Sequence, residues 1–251
     1  WHYMFGSQVS VPITIRLIIG RGWGQGPTHS QNLQAWFAHV PGLKVVMPTT
    51  PADAKGLLLS SIFDPNPVVF LEHRWLHQSV GEVEEGDIRV PIGVAKIVRT
   101  GKDVTVVAAS YLTVEAIQAA KVLAEEGIDC EVIDLRTISP LDWETIYDSV
   151  KKTKRIIVLD SGAQNGSVAG EIIARVAMNQ YHILSAAPMR LAMPDVPEPT
   201  SFGLTKGFFV RGIDIYKNVM AMFGKPETSK VSALLEPSPH DVPGEWFKGP
   251  F

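Results

Sequence analysis

The 251-residue sequence predicts an α/β protein made of two doubly wound units with mostly parallel sheets. Three observations point there. Short apolar, β-branched runs alternate with helix-length stretches, an acidic segment from His73 to Pro91 splits the series in two, and glycine or proline marks most changeovers.

Val11 to Ile19 is apolar and β-branched and reads as a buried strand. Gly20, Gly22, Gly24 and Gly26 follow, giving a loop in which backbone can approach a ligand closely. Pro27 and Thr28 mark a helix start with Thr28 as N-cap, so a helix over about 29–39 carries His29 in its first turn. There the macrodipole disfavours imidazolium and leaves a neutral ring able to pass protons. Taken alone, a histidine in this position is more often a capping or packing residue.

A strand at 43–47, a helix at 51–63 and a strand at 67–72 complete a first unit over 1–75. Residues 76–91, with Glu82, Glu84, Glu85 and Asp87 and no period, read as a linker. A second unit over 92–224 has strands at 93–99, 104–109, 130–135, 155–160 and 189–193, with helices at 112–126, 141–152 and 166–179. Residues 225–251 form a proline-rich tail that runs over a surface or reaches a partner. In it, Trp246 and Phe247 are either interface anchors or aromatics packed on their own domain.

Composition fits a sizeable enzyme core, with 45% hydrophobic residues. A net charge of -3 and a pI near 6.2 give no basic footprint for nucleic acid. The single cysteine, Cys130, lies in a strand-like run, reads as a core thiol and excludes an intrachain disulfide, as in a reducing compartment. No apolar run approaches the roughly 20 residues of a membrane span, and the N-terminus lacks a secretory pattern. The expected address is the cytoplasm, or a mitochondrial or plastid matrix in a eukaryote.

Other motifs have two readings each. The glycine loop has no Gly-x-Gly-x-x-Gly register, because Gln25 or Pro27 stands where the third glycine belongs, which argues against a dinucleotide site. His73 and His77 are four apart, but Arg74 occupies the place of the glutamate in a zinc protease motif. Asp160-Ser161-Gly162 closes an apolar strand and either faces a ligand crevice or simply turns the chain. Ser60 to Pro67 joins free helix-end carbonyls to the oxygens of Asp64 and Asn66, suiting either a hard cation or a capped helix with an Asx turn.

His29-Ser30-Gln31, then Ala35-Trp36-Phe37-Ala38-His39-Val40-Pro41-Gly42-Leu43-Lys44-Val45-Val46, resembles the beta subunit of thiamine diphosphate-dependent 2-oxo acid dehydrogenases, the first component of pyruvate and branched-chain dehydrogenase complexes. The resemblance continues through Pro51 to Leu57, Pro67 to Glu72, Asp103 to Val107 and Glu131 to Asp142, covering most of the chain from Val11 to about Val196. It implies a partial transketolase-like pyrimidine-binding domain followed by a transketolase C-terminal-type α/β domain.

The resemblance also implies oxidative decarboxylation of a 2-oxo acid with acyl transfer to a lipoyl domain. Thiamine diphosphate and magnesium would be held mainly by an alpha subunit, in an alpha2beta2 heterotetramer that docks a dihydrolipoyl acyltransferase. His29 would lie in the shared cleft, hydrogen-bonding the substrate-derived intermediate or protonating lipoyl sulfur, with Ser30 and Gln31 behind it. A structural potassium ion would take ligands from Ile13, Ser61, Ile62, Asp64 and Asn66. Ser161 departs from the family, which commonly has an acidic residue there. The family's aminopyrimidine-activating glutamate precedes the point where this sequence starts, at Trp1-His2-Tyr3, and no residue here matches it. The sequence therefore reads as a fragment, inactive by itself. Alternatives are another transketolase-group thiamine enzyme, such as transketolase or the deoxyxylulose phosphate synthase type, and a non-catalytic docking module.

Overall fold

The computed structural model describes residues 1–21, 24–234, 240–244 and 247. Continuous apolar runs become strands covered on both faces: every residue of β5 (Val104–Ala108) and β6 (Cys130–Asp134) is buried. With β4 (Lys96–Arg99), β8 (Ile156–Ala163) and β9 (Met189–Met193) they form a five-stranded sheet ordered β4-β6-β5-β8-β9. Only β4 runs antiparallel in it. A four-stranded sheet, ordered β1-β3-β2-β7, combines β1 (Thr14–Ile19), β2 (Lys44–Val46) and β3 (Val68–His73) in parallel. Its last member, β7 (Thr137–Ser139), comes from the second half of the chain and pairs antiparallel with β2.

Local chemistry sets the helix starts. In α3 (Pro51–Ile62) the Thr50 hydroxyl accepts the Asp53 N–H at 3.1 Å and Pro51 occupies the first turn. Asp142 caps α5 (Trp143–Thr153) through the Thr145 N–H at 3.1 Å, and Ser167 caps α6 (Val168–Gln180) through the Gly170 N–H at 3.1 Å. Helices α4 (Tyr111–Glu125) and α7 (Gly212–Met222) pack together over one face of the larger sheet. One buried cluster joins Ile19, Val45 and Leu71 of the first sheet to Val107, Ile133 and Ile172 around the second, so the two halves share a core.

The structure corrects four expectations. The helix expected over 29–39 splits into α1 (Gly26–His29) and α2 (Gln34–Ala38). Side chains take the backbone partners a continuous helix would use: Gln31 Nε2 donates to the Pro27 carbonyl at 3.1 Å and Asn32 Nδ2 to the Ser30 carbonyl at 3.2 Å. Thr28 is consequently no N-cap, since Gln25 holds that position, and His29 ends a single turn where the expected N-terminal dipole effect does not apply. The apolar strand expected to be buried lies at a sheet edge, with Ile15 and Ile18 exposed. Residues 137–139 and 212–222 are a strand and a helix that the patterning did not reveal. Cys130 is a core thiol, and burial pushes it up to about 12. In the tail, Phe247 is buried in the core of its own chain, whereas Trp246 lies outside the described residues.

Candidate active site

The site lies at the carboxyl ends of the parallel strands β1, β3 and β8, where open α/β sheets place ligands. Strand β1 ends at Gly20, whose φ of +76° no side chain favours, and a Cβ there would stand 2.5 Å from His73 Nε2. The glycine lets the loop leave the sheet directly over the buried His73 ring. Among the described residues no group of three or more His, Cys, Asp or Glu side chains could hold a metal ion. His73 Nδ1 accepts the Trp75 N–H at 3.2 Å, and its ring stacks on Tyr111 at 5.3 Å. Burial, with the charges of His77 and Arg74, lowers its pKa to about 3, so it stays neutral. His77 instead faces Glu72 at 3.7 Å, and Glu72 is held by Arg16 at 2.6 Å.

Beyond the loop, His29 is exposed at the end of α1 and no hydrogen bond or ion pair engages its ring among the described residues. The two weaker candidates separate: Ser30 is fully buried and Gln31 is exposed. Gly20 N–H donates to the Gln31 carbonyl at 3.3 Å and fixes the loop's exit beside its start. Then α2 begins at Gln34, whose side-chain amide donates to Asp160 Oδ1 at 2.6 Å and to Ser161 Oγ at 3.3 Å. Asp160 also accepts from the Gly162 and Ala169 N–H groups, at 2.8 and 3.1 Å. Burial raises its pKa against the pull of these donors. Asp160-Ser161-Gly162 therefore ties the start of α2 to β8 and to the first turn of α6.

A crevice of about 1120 Å³ opens alongside, between α2, the turn before α5 and the start of α6. Trp36, Trp143, Arg175 and Arg190 line it, and His29 does not. Of the five residues matched to a potassium site, Ser61 and Ile62 end α3, Asp64 and Asn66 follow it, and Ile13 precedes β1. Val11 N–H donates to the Pro65 carbonyl and Val68 N–H to the Ile13 carbonyl, at 3.0 and 2.9 Å, which sets Ile13 against the α3–β3 turn holding Ser61, Ile62, Asp64 and Asn66. The Asp64 carboxylate is taken by Lys44 Nζ at 2.5 Å and the Asn66 N–H at 2.9 Å.

Sequence reading missed Arg21, Glu198 and Asp241. Arg21, inside the glycine loop, is 1% exposed and pairs with Glu198 and Asp241 at 3.4 and 3.2 Å. Burial raises Glu198 to about 7, opposed by Arg21. An arginine within a glycine run was the only visible signal.

Two α/β units joined by a shared core, with a glycine loop and an exposed histidine at the strand ends, define a transketolase-type architecture. The chain belongs to the transketolase-like family: the transketolase pyrimidine binding domain matches residues 1–79 and the transketolase C-terminal domain residues 93–211. Among its relatives, the beta subunit of the pyruvate dehydrogenase E1 component of Rhizobium meliloti is 46% identical over 205 residues, covering 81% of this chain and 45% of the relative. The beta subunit of acetoin:2,6-dichlorophenolindophenol oxidoreductase of Cupriavidus necator is 44% identical over 201 residues, covering 80% of this chain and 60% of the relative. The chain thus spans about half the length of these relatives. In fold it is similar to a split-gene transketolase solved as an inactive beta4 tetramer, with a TM-score of 0.69, 23% identity and coverage of 87% of this chain and 68% of that one.

Members of this family depend on thiamine diphosphate. The carboxylates at this end of the described structure are already engaged: Glu72 by Arg16, Asp160 by Gln34 and two amides, Glu198 by Arg21. None stands free beside His29 to grip an aminopyrimidine nitrogen. The residues present do not by themselves fit the cofactor.

Proposed function

We propose that this chain is the beta-subunit part of a thiamine diphosphate-dependent 2-oxo acid dehydrogenase, acting in oxidative decarboxylation and acyl transfer to a lipoyl group. The observation that carries this is the exposed His29, its ring unengaged among the described residues, presented by a glycine loop at the carboxyl ends of a parallel sheet. Because Glu72, Asp160 and Glu198 at this end of the sheets are engaged, this chain's contribution is a cleft wall and a proton donor. His29 passes a proton to the sulfur of the acyl acceptor, and its openness to solvent lets the ring be reprotonated.

An alpha subunit in an alpha2beta2 heterotetramer supplies the cofactor-diphosphate and magnesium sites, and a dihydrolipoyl acyltransferase receives the acyl group. The relatives' designation as beta subunits supports such an assembly. No helix among the described residues is long and apolar enough to cross a membrane, in keeping with work in a cytoplasm or organelle matrix. A structural potassium ion binds at the α3–β3 turn, through the carbonyls of Ile13, Ser61, Ile62 and Asp64 together with Asn66. The buried, unpartnered Asn66 Oδ1 supports that reading.

The likeness to the acetoin oxidoreductase subunit favours a second substrate, acetoin. The test is dye reduction by this chain co-purified with its alpha partner, with thiamine diphosphate and magnesium, comparing pyruvate, branched-chain 2-oxo acids and acetoin. A matching chain extended at its N-terminus is assayed in parallel. Turnover of a 2-oxo acid in the extended enzyme supports the first reading and turnover of acetoin alone the second. A stable complex that turns over none of them contradicts both and favours a docking role.

A further inference from the structure

The loop that carries His29 is held from the second half of the chain. Arg21 Nη1 donates to the Pro199 carbonyl at 2.8 Å and faces Glu198 Oε1 at 3.4 Å, while Nη2 reaches Asp241 Oδ2 at 3.2 Å. All three partners follow β9 in the chain, and Arg21 is 1% exposed, so its charge depends on them. A second contact lies three residues before His29. Gly26 has φ +62°, and a Cβ there would stand 2.1 Å from Thr200 Oγ1, so the loop after β9 presses directly on the start of α1. One residue after His29, Ser30 is fully buried near Glu198, with no hydrogen bond to its hydroxyl among the described residues. Segment 198–200 thus holds the glycine loop just before a histidine whose ring no hydrogen bond or ion pair engages among the described residues.

We propose that Glu198 is a positioning residue for His29, contributed by the second domain and acting through Arg21. It makes no contact with substrate; it sets the place of the exposed ring by fixing the buried Arg21 in the loop that leads to it. The proposal rests on the reading of His29 as the catalytic proton donor, and its test separates the two.

Hydrogen–deuterium exchange is measured over residues 24–31 and over β5 and β6 in wild type, Glu198→Ala, Glu198→Gln and Arg21→Met, alongside acyl-transfer kinetics in the assembled enzyme. Glu198→Ala and Arg21→Met are expected to speed exchange over 24–31 by about tenfold, to leave β5 and β6 unchanged, and to lower kcat by about 10- to 100-fold with KM nearly constant. Glu198→Gln, which keeps an acceptor for Arg21, restores most of both. Unchanged exchange over 24–31 in Arg21→Met, or in a folded Glu198→Ala, overturns the proposal. If exchange speeds up as expected but His29→Ala transfers acyl groups normally, the positioning role stands and the catalytic reading of His29 falls.

Discussion

Gln34 and Asp160, 126 residues apart, meet at 2.6 Å and join the first turn of α2 to β8. The same carboxylate accepts the Gly162 and Ala169 amides, so one buried side chain ties β8 to the first turn of α6 and fastens the segment leading from His29 to the second domain.

Replacing Asp160 by alanine strands three donors in a buried place. The expected loss is about 3 kcal/mol of unfolding free energy, read by chemical denaturation. Asp160→Asn keeps the acceptor for Gln34 but turns one oxygen into a donor facing an N–H, and should lie between alanine and wild type. A loss below about 1 kcal/mol for the alanine variant would show that this joint does not hold the domains.

Gly20→Ala places a methyl group 2.5 Å from His73 Nε2 at a φ of +76°. The left-handed conformation and the clash together should cost about 3 kcal/mol. In the double variant with His73→Ala the clash disappears, so the combined loss should be smaller than the sum of the two single losses. Strict additivity would contradict the packing of the loop on this ring.

Buried Asp134 predicts an inverted pH response. Burial pushes its carboxyl from 3.8 to about 7, with Asp53 pushing the same way and the Thr49 hydroxyl, Arg136 amide and Arg136 charge pulling back. Between about pH 4 and pH 7 the folded chain keeps a proton that the unfolded chain has released. This group's contribution is therefore complete below about pH 4 and falls as pH rises through that window. His73 acts oppositely: its folded pKa near 3 lies below the ordinary 6.5, so its contribution is complete above pH 6.5 and is lost on acidification. Comparing wild type with Asp134→Asn isolates the carboxyl. The wild type should lose a few kcal/mol relative to the asparagine variant between pH 4 and 7, and parallel curves would refute the assignment.

At the α3–β3 turn, potassium at a hundredfold excess over its dissociation constant should raise unfolding free energy by about 2.7 kcal/mol, or Tm by several degrees, relative to tetramethylammonium. Asn66→Ala should reduce the gain. A Tm indifferent to the cation identity would leave the turn as an Asx turn pinned by Lys44.

Much of the fold was legible because the signals are local. The periodic runs at 51–62, 111–125 and 168–180 announce helices, and the β-branched runs at 104–108 and 130–134 announce strands. What escaped depends on tertiary partners. Thr137–Ser139 is a strand because it meets β2 of the other unit, and Val11 to Ile19 looks equally apolar at an edge or in a centre. His29 was singled out through its motif, but the helix drawn around it ignored Gln31 and Asn32, whose side chains break it. Arg21 and Glu198 are 177 residues apart, a pairing that no periodicity encodes.

The most direct measurement is reductive acylation of a lipoyl domain by the assembled enzyme carrying His29→Ala, beside dye reduction by the same variant and its circular dichroism. The account predicts a native fold and acylation reduced by about a hundredfold or more, the size of a lost general acid. Near-normal acylation in a folded variant would contradict the claim that this chain brings the proton donor to the shared site.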